Sequence, residues 1–236
     1  PAPAPVPAPA PVPAPAPAPA PVPAPAGKPT AHAAPLGSDT ITIDGRGDEP
    51  AWARAAVASW DSDFAGKASG IHTKARFLWS KDALHVLIEL SGAGLFTDRS
   101  RPVGQERQKL FEEDCVEIFL APDPASPRRY AEIELGPFGH FLDLMVDLDG
   151  RKYNTTWSSG LRVATTQRGG AREATVEAAM TAAEITGALR AGATLPMGLF
   201  RMEGREPRHY LAWSPARTRK PNFHVPEAFG ALSLDP

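Results

Sequence analysis

Apolar and polar residues alternate at every second position through most of residues 39–236, and this period constrains the fold more than any other feature. Successive side chains of a β-strand point to opposite faces, so a period of two predicts strands with one apolar face. The runs are short and are bounded by glycine, proline and aspartate, which is typical of an all-β sandwich. Helix signals are few, and only EPAWARA (49–55) and TAAEITGAL (181–189) predict a helical turn.

Nine segments carry the strand pattern. Two of them, 75–80 and 84–90, predict a hairpin, because Ser80, Lys81 and Asp82 between them favour a turn. The other seven are CVEIFLAP (115–122), RYAEIELGP (129–137), HFLDLMVD (140–147), LRVATT (161–166), ATVEAAMT (174–181), GLFRMEG (198–204) and HYLAWSP (209–215).

The first 26 residues differ from the rest, because proline alternates there with alanine or valine. Proline fixes φ and removes a backbone donor, so this segment forms neither a helix nor a paired strand. We expect a disordered or polyproline II tail, which at about 3.1 Å per residue could span roughly 80 Å. A loose connector, GKPTAHAAPLGSD, follows. We therefore assign residues 1–38 to a Pro/Ala-rich tether and linker and residues 39–236 to one domain.

Composition limits the classes of partner that the protein could bind, and together with the proline-rich start it suggests a cellular location. A formal net charge of -2 with 22% charged residues argues against a nucleic-acid partner, and no window has the roughly 18 apolar residues of a membrane span. The single cysteine, Cys115, excludes an intramolecular disulfide, and the six histidines show no paired metal spacing. Because the chain starts at proline and carries the tether, we expect an upstream segment to have been removed. Export is then expected, to the periplasm, to an outer-membrane tether through an upstream lipid anchor, or to the outside of the cell.

Alternation also places the acidic residues of the central strands. If these strands pair as a meander, one sheet face carries four carboxylates: Glu117, Glu132, Glu134 and Asp143. Directly opposed like charges repel by a few tenths to about 1 kcal/mol, so this face requires a cation, an arginine or a polar ligand. Arg201 and Arg76 are the expected countercharges. Glu113 and Asp114 precede the strand and are expected to cap backbone donors in a turn.

Four blocks resemble one known family in order and spacing: ITIDGRGDEPAWARA, FEEDCVEIFLAPD, YAEIELGPFGHFLD and AWSPARTRKPNFHVPEAFGALSL. They are similar to the successive blocks of the carbohydrate-binding module family 9-like group, within the DOMON-like β-sandwich superfamily, and the resemblance covers residues 40–236. It implies a β-sandwich with jelly-roll or immunoglobulin-like topology. It also implies a non-catalytic module that binds a sugar or cell-surface glycan.

The resemblance further implies a binding site. Sugar-binding members hold the ligand between two tryptophans, whose positions correspond to Phe111 and Phe223, above a floor acid that corresponds to Glu117. Where those members have an arginine and an asparagine, this chain has Glu132 and Glu134, which accept hydrogen bonds where the others donate them. The predicted ligand-binding residues are therefore Phe111, Glu117, Glu132, Glu134, Arg201 and Phe223. Trp52 and Trp213 resemble family positions that pack in the core.

Several other interpretations stay open. The resemblance suggests structural calcium, for which Asp44 and Asp48 are the candidate ligands, although DGRGDE also suits a plain turn. No cofactor is required. Two carboxylates can hydrolyse a glycoside, but no catalytic motif accompanies them, so we expect no enzyme. One alternative is a structural or protein-interaction sandwich that has lost sugar binding. Another is non-covalent haem binding, with ligands drawn from Met145, Met197, Met202, His140, His209 and His224.

Overall fold

The computed structural model describes residues 27–92, 94–170 and 172–236, so the repeating proline segment predicted as a tether lies outside the described residues. Within those ranges the chain forms thirteen strands and very little helix. The strands are β1 (Thr30–Pro35), β2 (Ala58–Ser62), β3 (Ala68–Trp79), β4 (Leu84–Ser91), β5 (Cys115–Leu120), β6 (Arg129–Leu135), β7 (Phe141–Asp147), β8 (Lys152–Asn154), β9 (Arg162–Arg168), β10 (Glu173–Met180), β11 (Thr194–Glu203), β12 (His209–Ala212) and β13 (Gly230–Leu234).

Helical structure is limited to single turns. One is α-helical, α1 (Ala183–Thr186), and three are 3-10 turns at Pro50–Arg54, Leu110–Glu112 and Pro226–Ala228. The turns predicted in EPAWARA and TAAEITGAL are therefore confirmed. Among the described residues, no helix has both the length and the apolar character needed to cross a bilayer.

Hydrogen bonds join the strands into one continuous sheet with the order β8-β7-β6-β5-β11-β13-β1-β3-β4-β10-β9, while β12 pairs with β11 and β2 pairs with β3. Strand β1 runs parallel to both of its neighbours, β13 and β3. The other strand pairs are antiparallel. Strand β1 thus joins two antiparallel halves, one built around β5, β6, β7 and β11 and the other around β3, β4 and β10.

The two halves enclose one apolar core, to which most of the strands contribute alternate residues. Its buried members from both halves include Phe77, Ile88, Val116, Ile118, Ile133 and Val176. Burial of these alternate residues in the core explains the period of two in the sequence, since polar residues at the same positions would lose water without gaining partners. The all-β sandwich is confirmed. Trp52 and Trp213 are both buried, as expected.

The predicted hairpin is confirmed as β3 and β4. Ala75 pairs with Ile88, and Trp79 pairs with Leu84 at the turn end. The Ser80 hydroxyl oxygen accepts hydrogen bonds from the backbone N–H groups of Asp82 and Ala83, each at 3.2 Å. A short polar side chain thus closes the turn, as its position suggested.

The structure differs from the expected connector at Thr30–Pro35, which forms β1 in the middle of the sheet. Ala31 pairs with Leu232 of β13, and Ala33 pairs with Phe77 of β3. Ala33 is fully buried between these neighbours. The apolar residues of TAHAAP are only alanine and proline. The alternation of apolar and polar residues was therefore too weak to indicate a strand beside a proline-rich stretch. The folded unit therefore begins before Asp39.

A second apolar layer covers the outer face of β5, β6, β7 and β11. Phe119 stacks on Tyr130 with ring centroids 5.0 Å apart, and Phe229 meets Tyr130 edge-on at 5.4 Å. The segment before β13 supplies this cover, because Phe229 and Phe223 both pack against the cluster. All six residues of β5 are consequently buried. Strands β5, β6, β7 and β11 are therefore buried on both faces, and polar residues on their outer face lie among apolar side chains.

Candidate functional site

Three glutamates lie together on the outer face of β5 and β6. Glu117 is directly opposite Glu134, and Glu132 is opposite Phe119, which points the same way as Glu117. The three carboxyl groups come from adjacent strands and share one face, as alternation predicted. They are not solvated: the exposed fractions of Glu117, Glu132 and Glu134 are 5%, 6% and 1%. We call them the carboxylate trio.

Asp143 does not belong to this face, and the prediction that placed it there was wrong. Asp143 is opposite Ile133, whose side chain points into the core between the halves. It is fully buried, and its Oδ2 accepts a 2.7 Å hydrogen bond from the Ser159 backbone N–H. Leu142 and Leu144 occupy the outer face instead, opposite Glu134 and Glu132. Because this outer face is covered by apolar residues, leucines do not mark the inner face of β7.

Arg201 was also expected near the glutamates, and the structure does not bring it there. It is opposite Val116 of β5, on the inner face, and is 1% exposed. Its Nη1 donates hydrogen bonds of 3.1 Å to the Thr73 hydroxyl and to the His72 carbonyl oxygen. The neighbouring residue Phe200 takes the outer position opposite Glu117. Arg76, the other expected countercharge, is paired with Glu89 on the opposite half of the sandwich.

The trio forms the floor of an open cleft of about 680 Å³. Phe111 stands on the 3-10 turn Leu110–Glu112 with 46% of its surface exposed. Phe223 lies on the loop before β13 and stacks on Phe200, with centroids 4.3 Å apart and ring planes 12° apart. Five of the six predicted ligand-binding residues therefore line one cavity. The full lining is Gln108, Lys109, Phe111, Glu112, Glu117, Glu132, Glu134, Leu142, Leu144, Tyr153, Thr155, Met202, Arg208, Tyr210, Pro221, Asn222, Phe223 and His224.

Burial changes the protonation of the trio. Loss of water raises the pKa of Glu132 to about 7. Loss of water and the charge of Glu132 raise the pKa of Glu134 to about 8. Burial together with the charges of Glu134 and Glu132 raises the pKa of Glu117 well above its ordinary value. Neighbouring buried carboxyl groups do not all ionise, so at neutral pH the trio retains protons.

Two oxygens of the trio lack partners. Within the part of the chain that the structure describes, Glu132 Oε2 and Glu134 Oε2 are buried and have no hydrogen-bond partner. His224 Nδ1 lies 3.9 Å from Glu132 Oε2, but it is 2.6 Å from the Tyr130 hydroxyl. Burial lowers the pKa of His224, so the ring is neutral at neutral pH and this approach is not an ion pair. Buried acceptors of this kind favour a ligand that donates hydrogen bonds.

Arg208 at the edge of the cleft was missed by sequence reasoning. Its guanidinium donates 2.7 Å hydrogen bonds to the carbonyl oxygens of Gly204 and Phe111 and lies 3.4 Å from Asp114 Oδ1. It holds the turn that carries Phe111 against the start of β12. The residue stands in a loop, EGREPRHY, where no periodicity marks it. Asn222 was missed for the same reason, and Tyr153 was missed because its strand, β8, has only three residues and shows no alternation.

Glu113 and Asp114 take the structural role expected of them. Asp114 Oδ2 accepts from the Phe96 backbone N–H at 3.0 Å, and Asp114 Oδ1 accepts from the Gly204 N–H at 2.9 Å. Glu113 Oε2 accepts from the Asp98 N–H at 2.8 Å. The two acids therefore fasten neighbouring loops to the start of β5. Cys115 is buried beside them, and burial and the charges of Glu134 and Glu117 raise the pKa of its thiol.

The candidate calcium ligands do not line this cleft. Asp44 and Asp48 are exposed, and Asp44 Oδ1 accepts a 2.9 Å hydrogen bond from the Arg46 N–H within a turn. The nearby carboxylate of Glu177 is occupied by the N–H groups of Asp44, Gly45 and Trp52. Calcium there stays a prediction. Across the described ranges, the group of potential donors that could hold a metal is Cys115, Glu117 and Glu134, with atoms within 4.8 Å of one another.

The candidate haem ligands are dispersed. Met145 and Met197 are part of the core between the halves. His140 Nε2 is hydrogen-bonded to the Arg101 carbonyl oxygen at 2.9 Å, outside the cleft. Met202 and His224 do line the cleft. The geometry of the trio, aromatic rim and open mouth suits a polar ligand with an apolar face better than an iron site.

Comparison with known proteins agrees with this geometry. The profile of the carbohydrate family 9 binding domain-like family matches residues 43–236. The chain belongs to this family. No curated protein sequence matches the chain.

Solved structures show the same fold. A protein of Bacteroides uniformis, described as a candidate carbohydrate-binding protein, superposes with a TM-score of 0.71 at 15% identity, covering 89% of this chain and 100% of its own. A family 9 module of Caldicellulosiruptor kristjanssonii in complex with cellotriose gives a TM-score of 0.54 at 17% identity, covering 87% of this chain and 93% of its own. A family 9 module of the same organism in complex with glucose gives a TM-score of 0.56 at 17% identity, covering 87% of this chain and 95% of its own. At these identities the likeness establishes the fold alone.

Proposed function

We propose that this family 9-like domain is a non-catalytic carbohydrate-binding module that takes a sugar into the cleft between Phe111 and Phe223. The observation that carries the proposal is the coincidence, in one cavity, of an aromatic rim with a floor of hydrogen-bonding side chains. Binding sites for small molecules commonly combine apolar walls with a few convergent polar groups. The family 9 modules with bound cellotriose and glucose support the ligand class.

The rim and the floor have separate roles in this proposal. Phe111, which is nearly half exposed, offers a flat face for stacking on the apolar side of a sugar ring. Phe223 is held in place by its stacking on Phe200, so it is already ordered before a ligand arrives. The trio below then forms hydrogen bonds with ring hydroxyls, which its carboxylate oxygens accept and its protonated carboxyl groups donate. Nothing in this arrangement requires a reaction, which is why we infer a binding module.

The tether and the location belong to the same proposal. We expect the Pro/Ala-rich segment to present the module on an exported protein that is periplasmic, outer-membrane-tethered or extracellular. Polyproline spacers are semi-rigid and keep a binding domain away from its attachment point. Secretion is tested by fractionating cells that express the protein with its natural upstream region.

Affinity electrophoresis tests sugar binding. The full chain is run through gels that contain plant, bacterial or fungal polysaccharides, and retardation by at least one of them is expected. Phe111→Ala should abolish the retardation, whereas Val57→Ala, which removes an exposed apolar side chain outside the cleft, should not. If no polysaccharide retards the protein and Phe111→Ala changes nothing, the domain is instead a structural or protein-interaction sandwich.

A further inference from the structure

The trio raises a question that sugar binding alone leaves open, namely which ligand group could replace the protons that it retains at neutral pH. Glu134 is 1% exposed and Glu132 is 6% exposed, and each has a carboxylate oxygen without a hydrogen-bond partner among the described residues. Both side chains line the cleft. A buried ionised carboxylate without a partner is costly, so proteins pair such groups with a cation or keep them protonated.

The cationic side chains near the cleft are engaged elsewhere. Arg208 donates to the backbone carbonyl oxygens of Gly204, Phe111 and Glu113 and lies beside Asp114. Lys109 is 70% exposed and lies 3.3 Å from Glu112, at the mouth. Arg201 points to the opposite face of the sheet. Arg107 is buried in an ion pair with Glu113. Within the described ranges, no cationic side chain donates a hydrogen bond to the trio, and the charge of Arg208 only partly opposes the rise in the pKa of Glu117.

A ligand can supply the positively charged hydrogen-bond donor that the trio lacks. A primary ammonium group carries a positive charge and three N–H donors, which matches a floor that offers only acceptors when ionised. Hydrogen bonds between charged partners are roughly twice as strong as neutral ones. Phe111, Phe223 and Tyr153 on the walls suit a sugar ring, and an ammonium beside aromatic faces gains a further cation–π attraction.

We propose that the cleft selects a sugar unit that carries a free amino group, so that the ammonium sits over Glu132 and Glu134 while the ring lies between the aromatic walls. The proposal rests on the proposed function and specifies its ligand class. An N-acetyl group at the same position would remove the charge and replace two donors with an acyl group. A hydroxyl would keep the shape without the charge. The three substituents therefore separate charge from shape.

Calorimetric titration with three matched ligands tests the proposal at about neutral pH, after treatment of the protein with a chelator. The ligands are the β-1,4-linked trimers of glucosamine, N-acetylglucosamine and glucose, which differ only at carbon 2. We expect the glucosamine trimer to bind at least about tenfold more tightly than the glucose trimer, with the N-acetylated trimer weakest. The preference should shrink at high salt, because it is electrostatic.

Two variants locate the preference in the floor. Glu134→Gln should reduce the glucosamine preference to about twofold or less while leaving glucose-trimer affinity within about threefold. Glu184→Gln, which removes an exposed carboxylate that does not line the cleft, should keep the preference. Phe111→Ala should weaken all ligands alike. The folded state of each variant is checked by its thermal unfolding.

The outcomes separate this inference from the proposed function. Equal binding of the glucose and glucosamine trimers would overturn the inference and leave the sugar-binding module intact. Binding of none of the three trimers, together with no retardation by any polysaccharide, would overturn both. Tight binding of Zn²⁺ that Glu134→Gln abolishes, without any preference for glucosamine, would also overturn the inference, because Cys115, Glu117 and Glu134 would then form a metal site.

Discussion

Replacing Glu134 with glutamine should change how stability depends on pH. In the unfolded chain a glutamate has an ordinary pKa of 4.5, whereas burial and the charge of Glu132 raise the pKa of Glu134 to about 8. Between these values the folded protein holds a proton that the unfolded chain has released. The folded state binds more protons, so stability falls as pH rises through this window.

The size of the effect follows from the same two values. Each pH unit corresponds to about 1.4 kcal/mol per titrating group, so the full interval from 4.5 to about 8 gives roughly 4–5 kcal/mol. We take this as an upper limit, because water that enters through the open mouth of the cleft reduces the penalty of ionisation. Glutamine has nearly the same shape and cannot ionise. The unfolding free energy of Glu134→Gln minus that of the wild type should therefore grow from about pH 4.5 and level off above about pH 8.

Urea unfolding followed by tryptophan fluorescence measures this difference from about pH 5 to about pH 9. Trp52, Trp60 and Trp213 are buried and report on unfolding. Other buried groups titrate as well: the pKa values of His85 and His224 are lowered, so their contribution to stability rises with pH. Both histidines are present in the wild type and in Glu134→Gln. Subtracting one unfolding free energy from the other therefore removes most of their contribution. Glu112→Gln is the matched control and should follow the wild-type curve. Parallel curves for wild type and Glu134→Gln would refute a buried, protonated trio.

Three further predictions concern residues around the site and the fold. Asp114→Asn should lower the unfolding free energy in urea titration by about 1–3 kcal/mol. Each carboxylate oxygen of Asp114 accepts a backbone N–H, and in asparagine one of these oxygens is replaced by an NH₂ donor. An unchanged unfolding midpoint would contradict the capping role. Gly45→Ala should lower the unfolding free energy by at least about 2 kcal/mol, since φ is +81° and the new Cβ would lie 2.5 Å from the Thr165 backbone. Gly37→Ala is the control: φ is +65°, but no atom lies within 4 Å of the new Cβ, so the loss of unfolding free energy should be smaller. Cys115 is 1% exposed with a raised pKa, so iodoacetamide should modify it only after unfolding, and rapid labelling of the native protein followed by mass spectrometry would contradict this burial.

Alternation predicted the trio correctly because β5 and β6 pair in simple antiparallel register. Glu117 and Glu134 were placed on one face from the sequence, and they are directly opposite each other in the structure. The same reasoning failed for Asp143, since it assumed that leucines face the inner core. Where both faces of a strand are buried, polarity no longer distinguishes them, and the register of β7 decides. Arg201 on β11 was misplaced for the same reason.

The rest of the site depends on loops, which a sequence pattern does not position. Phe111 and Phe223 were identified only through the family resemblance, and they meet at one cavity because a 3-10 turn and the loop before β13 close over the sheet. Arg208 fixes that turn through hydrogen bonds to backbone carbonyl oxygens, and such contacts leave no periodic signal. The strand β1 was missed because alanine and proline dominate it.

The parallel pairing of β1 with β13 also has a mechanical consequence. Thr30 lies beside Ala231, and Ala33 lies beside Leu234, so the two strands run side by side in the same direction. A force that pulls on residues before Thr30 and is resisted at Asp235 acts along these strands and shears them past each other. The hydrogen bonds of β1 to β13 and to β3 would then bear the load together instead of opening one after another. Under such a load the hydrogen bonds on both sides of β1 would have to break together, so the strand that was least visible in the sequence would carry the tension.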